Sequence, residues 1–252
     1  MATPERASLL GLPRELRDQI YGHVLMTKLK ITFSKSGGMF ERATFTLSEP
    51  GRFSLPWVNL SLACKTCHHD LQDYVEDNKK RRSGPADDLR TYVMDITFNQ
   101  GDLEVITWRH LPCTPAQAKI IIVNAKAPEQ TSFGGDGGPG QPAYSLWYLL
   151  NNTLHYGPRM QHPALPEHMH VQELRMQLHQ RNGNSHGRQT RAFEYIYSWM
   201  HTLLWPGFLF GYVDRLYVSI KQHTKELVVQ SRGDCSVPHE WVRWGFKWGA
   251  AR

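Results

Sequence analysis

Cys64-Lys65-Thr66-Cys67-His68 is the stretch of this chain whose residue types and spacing carry the most chemistry. Its five-residue pattern is that of covalent c-type haem attachment. It falls inside a helical apolar pattern, however, where cysteines pack as small apolar groups, and haem attachment would require export. Zinc is the other chemistry these residues allow: Cys64, Cys67 and His68 would supply three thiolate or imidazole ligands, and Cys113, Cys235 or one of the thirteen histidines a fourth. No second ligand pair has useful spacing. His168-Met169-His170 places two imidazoles on one side of an extended segment, but Pro163 and Pro166 favour a plain loop there.

Other chemical signatures fail on inspection. Thr131 to Ala143 holds five glycines and two prolines, yet Gly137-Gly138-Pro139-Gly140 leads to Gln141-Pro142 and not to the Gly-Lys-Ser/Thr of a phosphate-binding loop. The same glycines lie too far past the apolar run ending at Asn124 for a dinucleotide fingerprint. Asp95, Asp102, Glu104, His110 and Asp214 would make acid and base pairs only if the fold collected them, and charges at strand ends are usually solvated. The expectation is a protein without cofactor or resident metal and without catalysis; an enzyme with a discontinuous metal site ranks third among the functional alternatives.

The elements that must position these residues show in the hydrophobic spacing. Leu12, Leu16, Ile20 and Val24 recur every fourth residue, with Tyr21 and Leu25 widening the stripe, so residues from Pro13 onward form an amphipathic helix that needs a partner. Pro13 suits its first turn and Glu15 the positive end of its dipole. Lys30 to Phe33 and Ala43 to Leu47 flank Ser36-Gly37-Gly38 as a hairpin. Leu60, Cys64, Cys67, Leu71 and Tyr74 then stand at helical steps as a second amphipathic helix. Residues 78–89, with Ser83-Gly84-Pro85, read as a linker or long surface loop.

Beyond it, four β-prone runs follow: Tyr92 to Phe98, Lys119 to Asn124, Val171 to Leu178 and Val213 to Ile220. Pro115 to Ala118 reads as a short turn, while Tyr144 to Leu154 and Arg191 to Leu204 read as helices. The last three β-prone runs resemble one another weakly, but separations near 53 and 42 residues are too irregular for a solenoid. A mixed sheet covered by helices is expected instead.

Composition narrows the function classes. With 252 residues and 40% hydrophobic content the chain can bury a core and is too apolar to be disordered. A net charge of +6 favours acidic partners, but the basic residues are dispersed apart from Lys79-Lys80-Arg81-Arg82, and no nucleic-acid-binding motif accompanies them, so nucleic acid is not the expected partner. Residues 1–8 lack the apolar core of a secretory signal, and no apolar run approaches the roughly 20 residues of a membrane span. No membrane partner and a cytoplasmic or nuclear location are expected. The Asn59 and Asn151 sequons are then chance matches. In the final stretch Trp241, Trp244 and Trp248 alternate with cations, an aromatic surface that either packs on its own chain or receives a partner.

Leu9 to Leu25, with Leu12-Pro13-Arg14-Glu15-Leu16 at its centre, resembles the opening helix of F-box proteins, most closely the F-box-like proteins abundant in filamentous fungi. Leu60-Ser61-Leu62-Ala63-Cys64-Lys65-Thr66-Cys67-His68-His69-Asp70-Leu71 is similar to the second half of that motif. The resemblance implies a helical platform that docks on the Skp-type adaptor of a cullin ubiquitin ligase through Leu12, Pro13, Leu16 and Ile20, with the remaining chain capturing a recruited protein. The expected architecture is thus α/β or α+β: an F-box-like helical region at 8–77 interrupted by a β-hairpin at about 27–57, then a mixed sheet covered by helices at 90–252. The competing expectation is a non-catalytic scaffold that keeps the two helices as core.

Overall fold

The β-prone runs of the sequence become neighbours in one sheet. The computed structural model describes residues 8–36, 44–49, 53–78, 89–99, 102–126, 141–160, 165–179, 193–194, 196–201, 204 and 207–230. Eight strands lie in the order β2-β1-β4-β3-β5-β6-β7-β8. They are β1 (Ile31–Ser36), β2 (Thr44–Leu47), β3 (Thr91–Asn99), β4 (Asp102–His110), β5 (Ile120–Lys126), β6 (Val171–His179), β7 (Val213–Ile220) and β8 (His223–Val228). The four helices are α1 (Arg14–Leu25), α2 (Pro56–Ala63), α3 (Lys65–Asn78) and α4 (Gln141–Tyr156). Residues 193–194, 196–201 and 204 are also helical, where the sequence predicts a helix.

β3, β5, β6 and β7 pair in parallel at the centre of the sheet. The weak likeness among the last three β-prone runs has a direct meaning, because they lie side by side with Ile121 opposite Leu174 and Leu174 opposite Leu216. Parallel neighbours need crossovers, which α4 supplies between β5 and β6 and the helical residues at 193–204 between β6 and β7. Alternation along these strands sends Val123, Ala125, Met176, Leu178 and Val218 into one buried cluster, which also holds Leu146, Leu150, Ile196 and Met200 from the helical segments. The opposite face carries polar side chains: Asp95 Oδ2 accepts a hydrogen bond from Arg109 Nε at 2.6 Å, and Asp95 Oδ1 one from Asn124 Nδ2 at 3.0 Å.

Two strands were not apparent from the sequence. β4 pairs antiparallel with β3, and β8 with β7, so antiparallel strands flank the parallel centre on both sides. The hairpin expected between the helices is present as β1 and β2, and β1 also pairs with β4. The insert therefore extends the sheet of the second region across the boundary drawn from the sequence. Leu29 N–H donates to Arg109 O at 2.8 Å at the mouth of that pairing.

The single second helix expected from Leu60 to Tyr74 is two helices, α2 and α3. The break falls at Cys64, whose φ of −165° and ψ of 162° are extended. Cys64 acts as the N-cap of α3: its Sγ accepts the Cys67 N–H at 3.3 Å and its carbonyl accepts the His68 N–H at 3.1 Å. A helix-compatible apolar spacing thus runs through a helix break that the spacing alone does not reveal.

α4 is buried on all sides, from Ser145 through Leu154. Asn151 and Thr153 are among these buried residues, which removes that sequon from the surface of the folded chain. Trp108 anchors the core below it and donates its Nε1–H to Pro158 O at 2.9 Å. His110, at the end of β4, is buried, and its Nε2 has no hydrogen-bond partner among the described residues. Burial holds the His110 imidazole below its usual titration range. A histidine depressed in this way stabilises the fold above its unfolded pKa and loses that contribution as pH falls through the folded value. The urea midpoint should therefore drop on acidification below about pH 6.5, the unfolded histidine value. His110→Leu should flatten that acid slope while leaving the neutral-pH midpoint unchanged or higher; an unaltered slope in the variant would show that His110 does not contribute to it.

Candidate partner-binding surface

The N-terminal helices assemble around a second, smaller core of Tyr21, Leu25, Leu71, Val75 and Leu89, with Trp57, Leu60 and Tyr74 packed against it. Gly22 lets α1 approach α3 closely, since a Cβ there would stand 2.6 Å from Tyr74 Oη. Trp57 fastens α2 to the sheet region by donating Nε1–H to Leu111 O at 2.7 Å.

A buried acid sits where α1 meets α3. Asp70 Oδ1 accepts from Arg14 Nη1 at 2.5 Å, and Asp70 Oδ2 accepts from Tyr21 Oη at 2.9 Å. Arg17 Nε stands 3.3 Å from Asp70 Oδ2, close enough for an ion pair but off the axis of a hydrogen bond. Arg14 is held from its other side by Asp18 Oδ1, 2.7 Å from Nε. Burial and the hydrogen bond to Asp70 push the Tyr21 phenol well above its usual range, so it remains a donor throughout the physiological range.

With Tyr21 and Leu25 facing the helical core, the other apolar stripe of α1 is left toward the surface. Leu16 is 44% exposed, Pro13 is exposed, and Leu12 and Ile20 are half-buried. Leu16, Ile20 and Val24 follow one another at four-residue steps along one face of α1. Pro13 itself is the N-cap of α1, one position earlier than the first-turn place expected, with its carbonyl accepting the Leu16 and Arg17 N–H groups, each at 3.1 Å. Leu10, before α1, is 42% exposed, and Leu62, at the end of α2, is 78% exposed. Three of the five exposed large hydrophobic residues in the described chain thus belong to the helical unit; Phe210 and Val228 are the others. Trp241, Trp244 and Trp248 lie outside the described residues.

No family model, curated protein or solved structure matches the chain.

The chemical candidates are not brought together. Among the described residues no three Cys, His, Asp or Glu side chains are arranged to hold a metal ion. His68 Nδ1 is 2.7 Å from Ser61 Oγ, and Cys113 is buried. His168 lies tilted against Tyr212 at 4.3 Å between ring centroids, while His170 Nε2 turns to Asp214 Oδ1 at 2.9 Å, so this histidine pair diverges. Asp95 and Asp214 stand on strands separated by β5 and β6. Glu104 is exposed on β4, and the Asp102 side chain lies outside the described residues. Among the described residues, no helix is long and apolar enough to cross a membrane.

The residues that sequence reasoning passed over are Arg14, Asp70 and Leu62. Asp70 shared the stripe of Cys67 and Tyr74 at helical spacing, and a carboxylate on an apolar stripe requires a cationic or hydrogen-bonding partner. Arg14 lies seven residues before Tyr21, on the same side of α1. Asp70→Ala should cost about 2–4 kcal/mol, because it leaves Arg17 without its counter-charge and Tyr21 without its acceptor, the partial exposure of Arg14 moderating the loss. Urea unfolding followed by far-ultraviolet circular dichroism measures it, and a loss below about 0.5 kcal/mol, the range of ordinary surface changes, would remove Asp70 from its structural role.

Proposed function

We propose that this protein is a non-catalytic binding adaptor whose helical unit docks on another protein through the outward stripe of α1. The observation that carries this reading is the exposure of Leu16, with Ile20 and Leu12 half-buried beside it, on a helix whose opposite side is fixed to α3. Apolar anchors at four-residue steps on a held helix fit a hydrophobic groove on a partner. The likeness of Leu9 to Leu25 and Leu60 to Leu71 to the F-box motif supports a Skp-type adaptor as that partner, with the sheet region recruiting a second protein for a cullin-type ubiquitin ligase. Three short helices closing on one small core are compatible with such a platform.

A second reading is a scaffold in which the helical unit only completes the fold. It is favoured by the placement of Tyr21 and Leu25 in the helical core and by the β1–β4 pairing that ties the unit to the sheet.

Co-precipitation of the full chain with the Skp-type adaptor distinguishes the two. Wild-type protein should be captured, and Leu16→Asp should lower the affinity by about tenfold or more, the loss of one interface anchor of roughly 1.4 kcal/mol. Its circular dichroism spectrum should be unchanged, because Leu16 is exposed. The double variant Leu16→Asp/Ile20→Asp should abolish capture. Failure of the folded wild-type protein to bind would leave the scaffold.

A further inference from the structure

The junction of α2 and α3 is built around two sulfur atoms in different surroundings. Cys64, the N-cap, is partly exposed, and Cys67, in the first turn of α3, is buried. Both are free thiols, joined by the 3.3 Å hydrogen bond from the Cys67 N–H to Cys64 Sγ. Side chains three apart on a helix have Cβ atoms about 5–6 Å apart, whereas a disulfide needs about 3.5–4.5 Å. The difference is small, and Cys64 lies outside the helix in extended backbone, where rotation can close it without unwinding α3.

We propose that Cys64 and Cys67 are a dithiol–disulfide couple that exchanges with accessible disulfides, Cys64 as the attacking thiol and Cys67 as the resolving one. The Cys64 thiolate attacks one sulfur of a low-molecular-weight disulfide, forming a mixed disulfide at Cys64 and expelling one thiolate. The Cys67 thiol gives its proton to that thiolate and attacks Cys64 Sγ, which forms the Cys64–Cys67 bond and releases the second thiolate. The pair is oxidised by two electrons and the small disulfide is reduced to two thiols; excess reduced thiol reverses the sequence.

The local electrostatics favour this division of labour. The backbone N–H of Cys67, and then its thiol, stabilise a negative charge on Cys64 and hold that thiol below its usual range. Burial, and then the neighbouring Cys64, push the Cys67 thiol above its own. A partly exposed, more acidic thiol at a helix N-terminus beside a buried, more basic one three residues on suits attack at the first and resolution at the second. Neither step uses the outward stripe of α1, so the couple stands or falls separately from adaptor docking.

The test equilibrates the reduced full-length protein with glutathione buffers of increasing oxidised fraction. Samples are then quenched with acid, alkylated and mapped by peptide mass. The expected result is reversible loss of two hydrogens from the peptide spanning Cys64 and Cys67, at a lower oxidised fraction than any change at Cys113 or Cys235. Cys67→Ser should accumulate a glutathione adduct on Cys64, and Cys64→Ser should give none on Cys67. Should Cys67→Ser fail to fold by circular dichroism, Cys67→Ala provides the same trap. The alkylation rate of Cys64 should rise with pH about a midpoint below that of a free cysteine. A folded wild-type protein that forms no Cys64–Cys67 bond at any ratio, links either cysteine to Cys113 or Cys235 instead, or alkylates Cys64 with an ordinary midpoint overturns the proposal.

Discussion

The carboxylate of Asp70 is the constraint on which the N-terminal half depends. A buried acid is tolerated only when its lone pairs are occupied, and here Arg14 and Tyr21 donate to separate oxygens while Arg17 adds its charge from the side. All three come from α1, so the acid sets both the distance and the rotation of α1 against α3. Apolar packing alone would permit α1 to roll on its axis, because Leu16, Ile20 and Val24 are as apolar as Tyr21 and Leu25. The Asp70 cluster chooses which stripe faces inward, and thereby which stripe remains outside.

That choice is transmitted to the rest of the molecule through the sheet. β1 follows α1 directly and is paired on both edges, with β2 and with β4, while Trp57 of α2 is hydrogen-bonded to Leu111 just past β4. The helical unit is therefore attached by a strand on one side and an indole on the other. A partner bound on α1 would be held in fixed relation to the parallel strands, an arrangement suited to presenting one protein to another.

What was legible in the sequence follows from how each element is buried. β5 and β6 stood out because they are central, and continuous or alternating apolar runs mark strands of that kind. β8 did not, because it is an edge strand in which Leu227 alone is buried, so period-two alternation hardly exists there. β4 was hidden because exposed Glu104 and Arg109, each without a paired residue where the β3–β4 register shifts, break the alternation on either side of buried Ile106 and Trp108. The α1 stripe was visible, but its inward half could not be distinguished from its outward half without the position of Asp70. The turn at Cys64 was concealed for a related reason: a cysteine cap is chemically unusual, and a serine or aspartate in its place would have announced a helix start.

The burial of α4 on every side also has a consequence for synthesis. α4 precedes β6, β7 and the helical residues at 193–204, all of which contribute to the cluster around it. During translation, Leu146, Trp147, Leu149 and Leu150 leave the ribosome well before their covering exists, and the central sheet cannot close until β7 has emerged. Proteins of this topology spend the interval with apolar surface uncovered. The nascent chain is therefore a natural client for holding chaperones until its last third has been made.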